Sequence, residues 1–218
     1  MITSIKHRLA TLARLSGRLL GTCCLLAGLA GCDGTATTAS VPPAAPVKFH
    51  AASLRDPEFG KDFHLKDARG QPRTLADWRG KVILLFFGYT QCPDVCPTAL
   101  SRAAAVMAQL GAEADKVQVL FVTLDPERDT PAVLGQYPAA FHPAFMGLSA
   151  TPEATPQLAR DFRIFYRRNP GKTPETYTID HTASTYAYDP QGRLRLVIAH
   201  DAQADEVADD IRQLLAGK

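Results

Sequence analysis

A run of six apolar residues, Val82–Phe87, leads through one glycine into a pair of cysteines, in the order Gly88-Tyr-Thr-Gln-Cys92-Pro-Asp-Val-Cys96-Pro97. A short run that is apolar at every position predicts a strand covered on both faces, as in a parallel or mixed sheet. Beyond Pro97 the apolar residues Leu100, Ala103, Met107 and Leu110 fall at helical spacing, and Gly111 supplies the stop. The segment therefore predicts a strand, a tight turn holding both thiols, and a helix. Unpaired N–H groups at a helix start favour a thiolate there, and the fixed φ of Pro97 suits the first helical turn. Two thiols so placed can close a disulfide, hold a soft metal such as Cu(I) or Zn(II), or do both.

The rest of the chain sets the frame for that turn. Phe63–Leu75 predicts an N-terminal β-hairpin turning at Asp67–Gly70. Val117–Leu124 predicts a second buried strand, and Thr130–Tyr137 and Glu153–Phe162 predict helices, with a short strand at Phe145–Leu148 between them. Thr185–Tyr188 and Leu194–Ile198 predict a strand pair across the turn residues Asp189–Gly192. A closing helix carries Val207, Ile211, Leu214 and Leu215 as its apolar stripe. Asp205, Glu206, Asp209 and Asp210 are expected mostly to face water and to complement the helix dipole. The order is α/β with a central mixed sheet flanked by helices, and a cysteine pair between the first buried strand and its helix. That is the thioredoxin-like arrangement.

The five cysteines are not equivalent. Residues 1–31 read as a secretory signal: Lys6, Arg8, Arg14 and Arg18 give a basic start, and Leu19–Leu29 an apolar core short for a membrane span. Cys23 and Cys24 lie inside that core. Leu29-Ala-Gly-Cys32 resembles a bacterial lipobox, which would lipidate Cys32 as the new N-terminus. Asp33 then resembles a signal for retention in the inner membrane, placing the protein on its periplasmic face. Asp33–Lys48 is rich in Thr, Ala, Ser and Pro, so residues 32–51 are expected to be lipidated cysteine and tether. Residues 52–218 remain as one domain. The whole chain carries 24 basic and 22 acidic residues. Without the four basic residues of 1–31 the balance is 20 against 22, a formal charge of −2. Charge gives no support to nucleic-acid binding.

Two sulfurs make an incomplete site for Cu(I) or Zn(II), so a further ligand is expected from elsewhere. His50, His64, His142, His181 and His200 are available. His181 stands out, because it precedes the Thr185 strand in the connection that faces the cysteine turn in thioredoxin-like folds. Taken together, Phe87-Gly-Tyr-Thr-Gln-Cys92-Pro-Asp-Val-Cys96-Pro97, Leu124-Asp-Pro-Glu-Arg-Asp-Thr-Pro131 and Tyr177-Thr-Ile-Asp-His181-Thr182 resemble the SCO/SenC family, over residues 60–215. Those proteins are thioredoxin-like copper chaperones of cytochrome c oxidase assembly. The resemblance implies Cys92 and Cys96 as thiolate ligands, which form a disulfide when oxidised, and His181 as the imidazole ligand. Three such donors suit Cu(I). Cu(II), which the family also binds, wants a further donor that the sequence does not identify.

The resemblance also makes Asp125 a residue beside the site, acting through a ligand or docking a partner. Asp180 is expected to orient the His181 ring, or to be a simple loop carboxylate. The segment Arg167–Pro174 reads as a basic, turn-rich loop, solvated or docking an acidic partner such as the copper-receiving subunit of the oxidase. The expected protein is a monomer held to the membrane by its lipid. The main alternative is a thiol–disulfide oxidoreductase that reduces the cysteines of the copper-receiving protein. A peroxidase is disfavoured by the close, proline-flanked pair, and structural zinc by the lack of a fourth ligand.

Overall fold

A computed structural model describes residues 48–218. The signal over 1–31, the lipidation of Cys32 and most of the tether over 32–51 lie outside the described residues. Residues 48–218 fall within one compact unit. Among the described residues no helix is long and apolar enough to cross a membrane.

The strands are β1 (Ala52–Ser53), β2 (Leu65–Asp67), β3 (Pro72–Arg73), β4 (Val82–Gly88), β5 (Val117–Thr123), β6 (Met146–Ser149), β7 (Tyr166–Asn169), β8 (Thr178–His181), β9 (Thr185–Tyr188) and β10 (Leu194–Ile198). The helices are α1 (Val95–Leu110), α2 (Pro131–Gln136), α3 (Thr155–Asp161) and α4 (Ala204–Leu215). Eight strands form one sheet in the order β1-β10-β9-β4-β5-β6-β2-β3, and β7 and β8 form a separate two-stranded sheet. β4 pairs parallel with β5 and antiparallel with β9, so the sheet is mixed.

The central position of β4 explains its unbroken apolar run. Side chains alternate across a strand, and both faces of β4 are covered. Val82, Leu84 and Phe86 join the core with α1 and α4, where Val106, Met107, Ile211 and Leu214 pack. Ile83, Leu85 and Phe87 point the other way, to Trp78, Leu158 and Phe162. The predicted hairpin is β2–β3, and it adds to the far edge of the sheet through β6.

Several boundaries differ for physical reasons. α1 starts at Val95, two residues before Pro97, with Asp94 at the cap position. Pro97 is then its third residue, where a missing N–H costs no helical bond. Asp210 is a correction to the solvated acidic face. It is buried and accepts hydrogen bonds from the backbone N–H groups of His50 (2.9 Å) and Ala51 (2.8 Å), fastening the chain that leads into β1. The Arg167–Pro174 segment is a correction too. Arg167, Arg168 and Asn169 belong to β7, which pairs with β8 in the register Tyr166–His181 and Arg167–Asp180.

Candidate metal centre

β4 ends at Gly88, where a side chain has no room: a Cβ there would lie 2.6 Å from Cys96 Sγ and 3.0 Å from both Phe121 and Phe86. The chain then turns, with Cys92 N–H donating to Tyr89 O (3.2 Å), and enters α1. Cys96, on the first turn of α1, is fully buried, whereas Cys92 is half-buried. Both thiols are free. Cys92 Sγ accepts from the Cys96 backbone N–H at 3.4 Å. The Cys96 thiol, then His181 and the N–H groups of Asp94 and Cys96, stabilise the Cys92 thiolate against the opposing effect of burial and hold its pKa down to about 3. The same hydrogen bond and deep burial push the Cys96 thiol up. The pair is asymmetric: an accessible thiolate beside a buried thiol.

His181 arrives from the separate β7–β8 sheet. Its Nε2 lies 3.5 Å from Cys96 Sγ, and its Nδ1 lies 3.0 Å from Thr182 O. A carbonyl only accepts, so Nδ1 carries a hydrogen, and Nε2 is the ring nitrogen turned toward the sulfurs. Phe86 and Tyr89 meet the ring edge-on, each with centroids 6.0 Å away. The ligand atoms of Cys92, Cys96 and His181 all lie within 4.8 Å of one another. Cys92 and His181 border an open cleft of about 370 Å³ that Tyr89, Asp94 and Ile179 also line, with Cys96 buried behind them. Two sulfurs and a free imidazole nitrogen, converging at the edge of such a cleft, form a donor set suited to a soft cation.

Asp125 and Asp180 each engage an arginine near the site. Asp125 is sealed from solvent, accepts from Tyr177 Oη at 2.6 Å and pairs with Arg128. Burial excludes it from a docking surface. Asp180, on β8, is half-exposed at the rim of the same cleft and pairs with Arg167 at 2.9 Å. Neighbouring strand residues point oppositely, and the hydrogen-bond partner of His181 Nδ1 is the carbonyl of Thr182. Arg168 pairs with Glu127 at 2.6 Å, so two of the three cations expected to dock a partner are engaged within the domain. His50, His64, His142 and His200 stand apart from the donor cluster.

Sequence reasoning passed over Asp129. This buried carboxylate accepts from Thr90 N (3.0 Å), Thr90 Oγ1 and Thr123 Oγ1, and so clamps the start of the cysteine turn to the end of β5. Burial raises its pKa against those bonds. The signal for it was present in Asp-Pro-Glu-Arg-Asp-Thr-Pro, a charged run directly after an apolar strand.

The SCO1/SenC protein family matches residues 51–216 of the chain. The bovine mitochondrial SCO2 homolog (Bos taurus) is 38% identical over 167 residues, covering 75% of this chain and 63% of the bovine protein. The chain thus spans under two thirds of the length of the mammalian relatives it matches. Among solved structures, the copper-bound ScoI of Bradyrhizobium japonicum is 38% identical with a TM-score of 0.66, covering 72% of this chain and 99% of that one. Apo Sco1 from Thermus thermophilus is 42% identical with a TM-score of 0.68, covering 77% and 97%. The matched region contains the β4–α1 turn and the β7–β8 sheet, with both thiols and the imidazole; the chain belongs to the SCO1/SenC family.

Proposed function

We propose that this protein is a copper chaperone that carries copper on Cys92, Cys96 and His181 and delivers it to the copper-receiving subunit of a cytochrome c oxidase. The observation that carries this reading is the convergence of the three donor atoms within 4.8 Å. Two thiolates and one imidazole match the low coordination number and softness of Cu(I). Binding requires both sulfurs deprotonated. Cys92 is poised as a thiolate, and Cys96 gives up its proton as the metal enters. Transfer is then ligand exchange: incoming donors replace His181 and Cys92 at the open cleft before the buried Cys96 lets go. Cu(II) would need a further donor, and Asp125, sealed behind Tyr177 and Arg128, does not supply it.

The membrane part of the reading rests on sequence: residues 1–31 as signal, Cys32 as the lipidated anchor, and the domain on the periplasmic face of the inner membrane as a monomer. The test is anaerobic Cu(I) loading of the reduced full-length chain, with transfer to the apo copper domain of an oxidase subunit. One copper per chain is expected, with affinity severely weakened in His181→Ala. Equal binding by that variant would end the three-donor reading.

The cysteine asymmetry supports a second reading, a thiol–disulfide oxidoreductase. The Cys92 thiolate attacks a target disulfide, giving a mixed disulfide and releasing one target thiolate. Cys96, deprotonated, then displaces the second target thiolate. Two electrons pass to the target, and a Cys92–Cys96 disulfide forms. This reading needs no histidine, so unchanged reductase activity in His181→Ala alongside unchanged copper binding would favour it.

A further inference from the structure

The strands that carry His181 share no ladder with the eight-stranded sheet that carries the cysteines. Other contacts must therefore set the imidazole over the sulfurs. Arg128 supplies a concentrated group of them from the turn after β5. Its Nη1 donates to Tyr177 O (2.9 Å) and Glu175 O (3.1 Å) on the lead into β8, and to Gln91 Oε1 (3.2 Å) beside Cys92. Its Nε donates to Asp125, which also accepts the Tyr177 hydroxyl. The Arg128 guanidinium lies 3.5 Å from the Tyr177 ring centroid, and Arg168 lies 3.9 Å from the same centroid. Two cations that close to one ring occupy opposite faces, so Tyr177 is held between them. The Arg128 side chain is only 13% exposed.

We propose that Arg128 is a positioning residue for the metal centre: one guanidinium ties the cysteine turn to the histidine strand and fixes the reach of His181 to the sulfurs. The inference rests on the three-donor copper reading. A lysine keeps the charge opposite Asp125 but is a point donor on a flexible stem. It cannot hold the carboxylate, two carbonyls and an amide at once, nor lie flat on Tyr177.

A residue needed only for folding would weaken copper binding whether or not His181 is present. One acting through His181 would lose its effect once the imidazole is gone. The experiment is a double-mutant cycle on the full-length reduced chain, read as Cu(I) affinity by anaerobic competition with bicinchoninate. Arg128→Lys is expected to weaken Cu(I) binding by about 10- to 100-fold, as removal of groups that orient a ligand does. In the His181→Ala background the same change is expected to cost less than about twofold. A loss of equal size in both backgrounds, or none in either, overturns the proposal. If His181→Ala itself binds copper like the parent, the copper reading has failed and the inference falls with it. If instead His181→Ala weakens binding and Arg128→Lys does not, only the inference has failed. Should Arg128→Lys not unfold cooperatively, Tyr177→Leu carries the same cycle. It leaves the Arg128–Asp125 pair but removes the ring between the two guanidiniums, and the same outcomes decide.

Discussion

Replacing Gly88 by alanine tests whether the cysteine turn depends on close approach of the backbone to the Cys96 sulfur. The added Cβ would lie 2.6 Å from Sγ, where ordinary contact begins at 3.4 Å, and 3.0 Å from carbons of Phe86 and Phe121. Both phenylalanines and Cys96 are buried at 2% exposure or less, so no neighbour can swing into solvent. Gly88 is not among the glycines with positive φ, so backbone strain adds nothing and the effect is one of packing. Inserting a methyl into a close-packed core costs about 1–3 kcal/mol, offset by the roughly 0.5–1 kcal/mol that alanine gains over glycine in a strand. A net loss of about 1–2 kcal/mol lowers Tm by about 2–8 °C in a domain of this size. Because the sulfur must yield, Cu(I) affinity should fall too. Thermal unfolding of the reduced protein by circular dichroism, with Cu(I) competition on the same sample, reads both. A Tm within about 1 °C of the parent together with unchanged affinity would refute the packing argument.

Four further outcomes follow from the site and its frame. In the reduced, metal-free chain, iodoacetamide should modify Cys92 and spare Cys96, at a rate nearly flat from pH 5 to 8; a rate climbing tenfold per pH unit would show an ordinary thiol. The folded pKa of Cys92, about 3, lies below that of an unfolded thiol, so its thiolate stabilises the reduced fold fully above the unfolded value and loses that effect as pH falls toward 3. Urea unfolding of the reduced parent against Cys92→Ala between pH 4 and 8 should show the parent gaining relative stability with pH; a constant difference would contradict it. Asp210→Ala strands two backbone N–H groups and should cost about 1–3 kcal/mol, with faster hydrogen exchange at His50 and Ala51; exchange unaltered at both would deny the clamp. Asp180→Asn should leave Cu(I) affinity within about twofold, and a tenfold loss in competition would restore Asp180 as the group that orients His181.

The parts of the fold that sequence reveals are those whose burial is local. Val82–Phe87 and Val117–Leu124 are continuous apolar runs because both faces of the sheet are covered, and the Thr185 and Leu194 strands are joined by their own turn. β7 and β8 are different. Tyr-Arg-Arg-Asn and Thr-Ile-Asp-His contain one buried residue, Ile179, and Pro170, Gly171 and Pro174 between them read as loop. Their pairing rests on cross-strand partners such as Arg167 with Asp180, which no periodicity encodes. The two thiols and His181 were legible because the motifs name residues whose chemistry is their own. Asp129 and Asp210 were not, since a carboxylate is buried only where donors come to meet it. Here the donors lie 39 residues away at Thr90 and about 160 residues away at His50 and Ala51.

The division of the strands into two sheets has a consequence for how the protein can fail. Both sulfurs belong to the body built on the eight-stranded sheet, and the imidazole belongs to a ribbon with its own ladder. Damage confined to the ribbon removes one donor and leaves both sulfurs in place. Damage at the turn removes both sulfurs together. Loss of the imidazole and loss of the sulfur pair are therefore separable defects, mapped to different stretches of the chain.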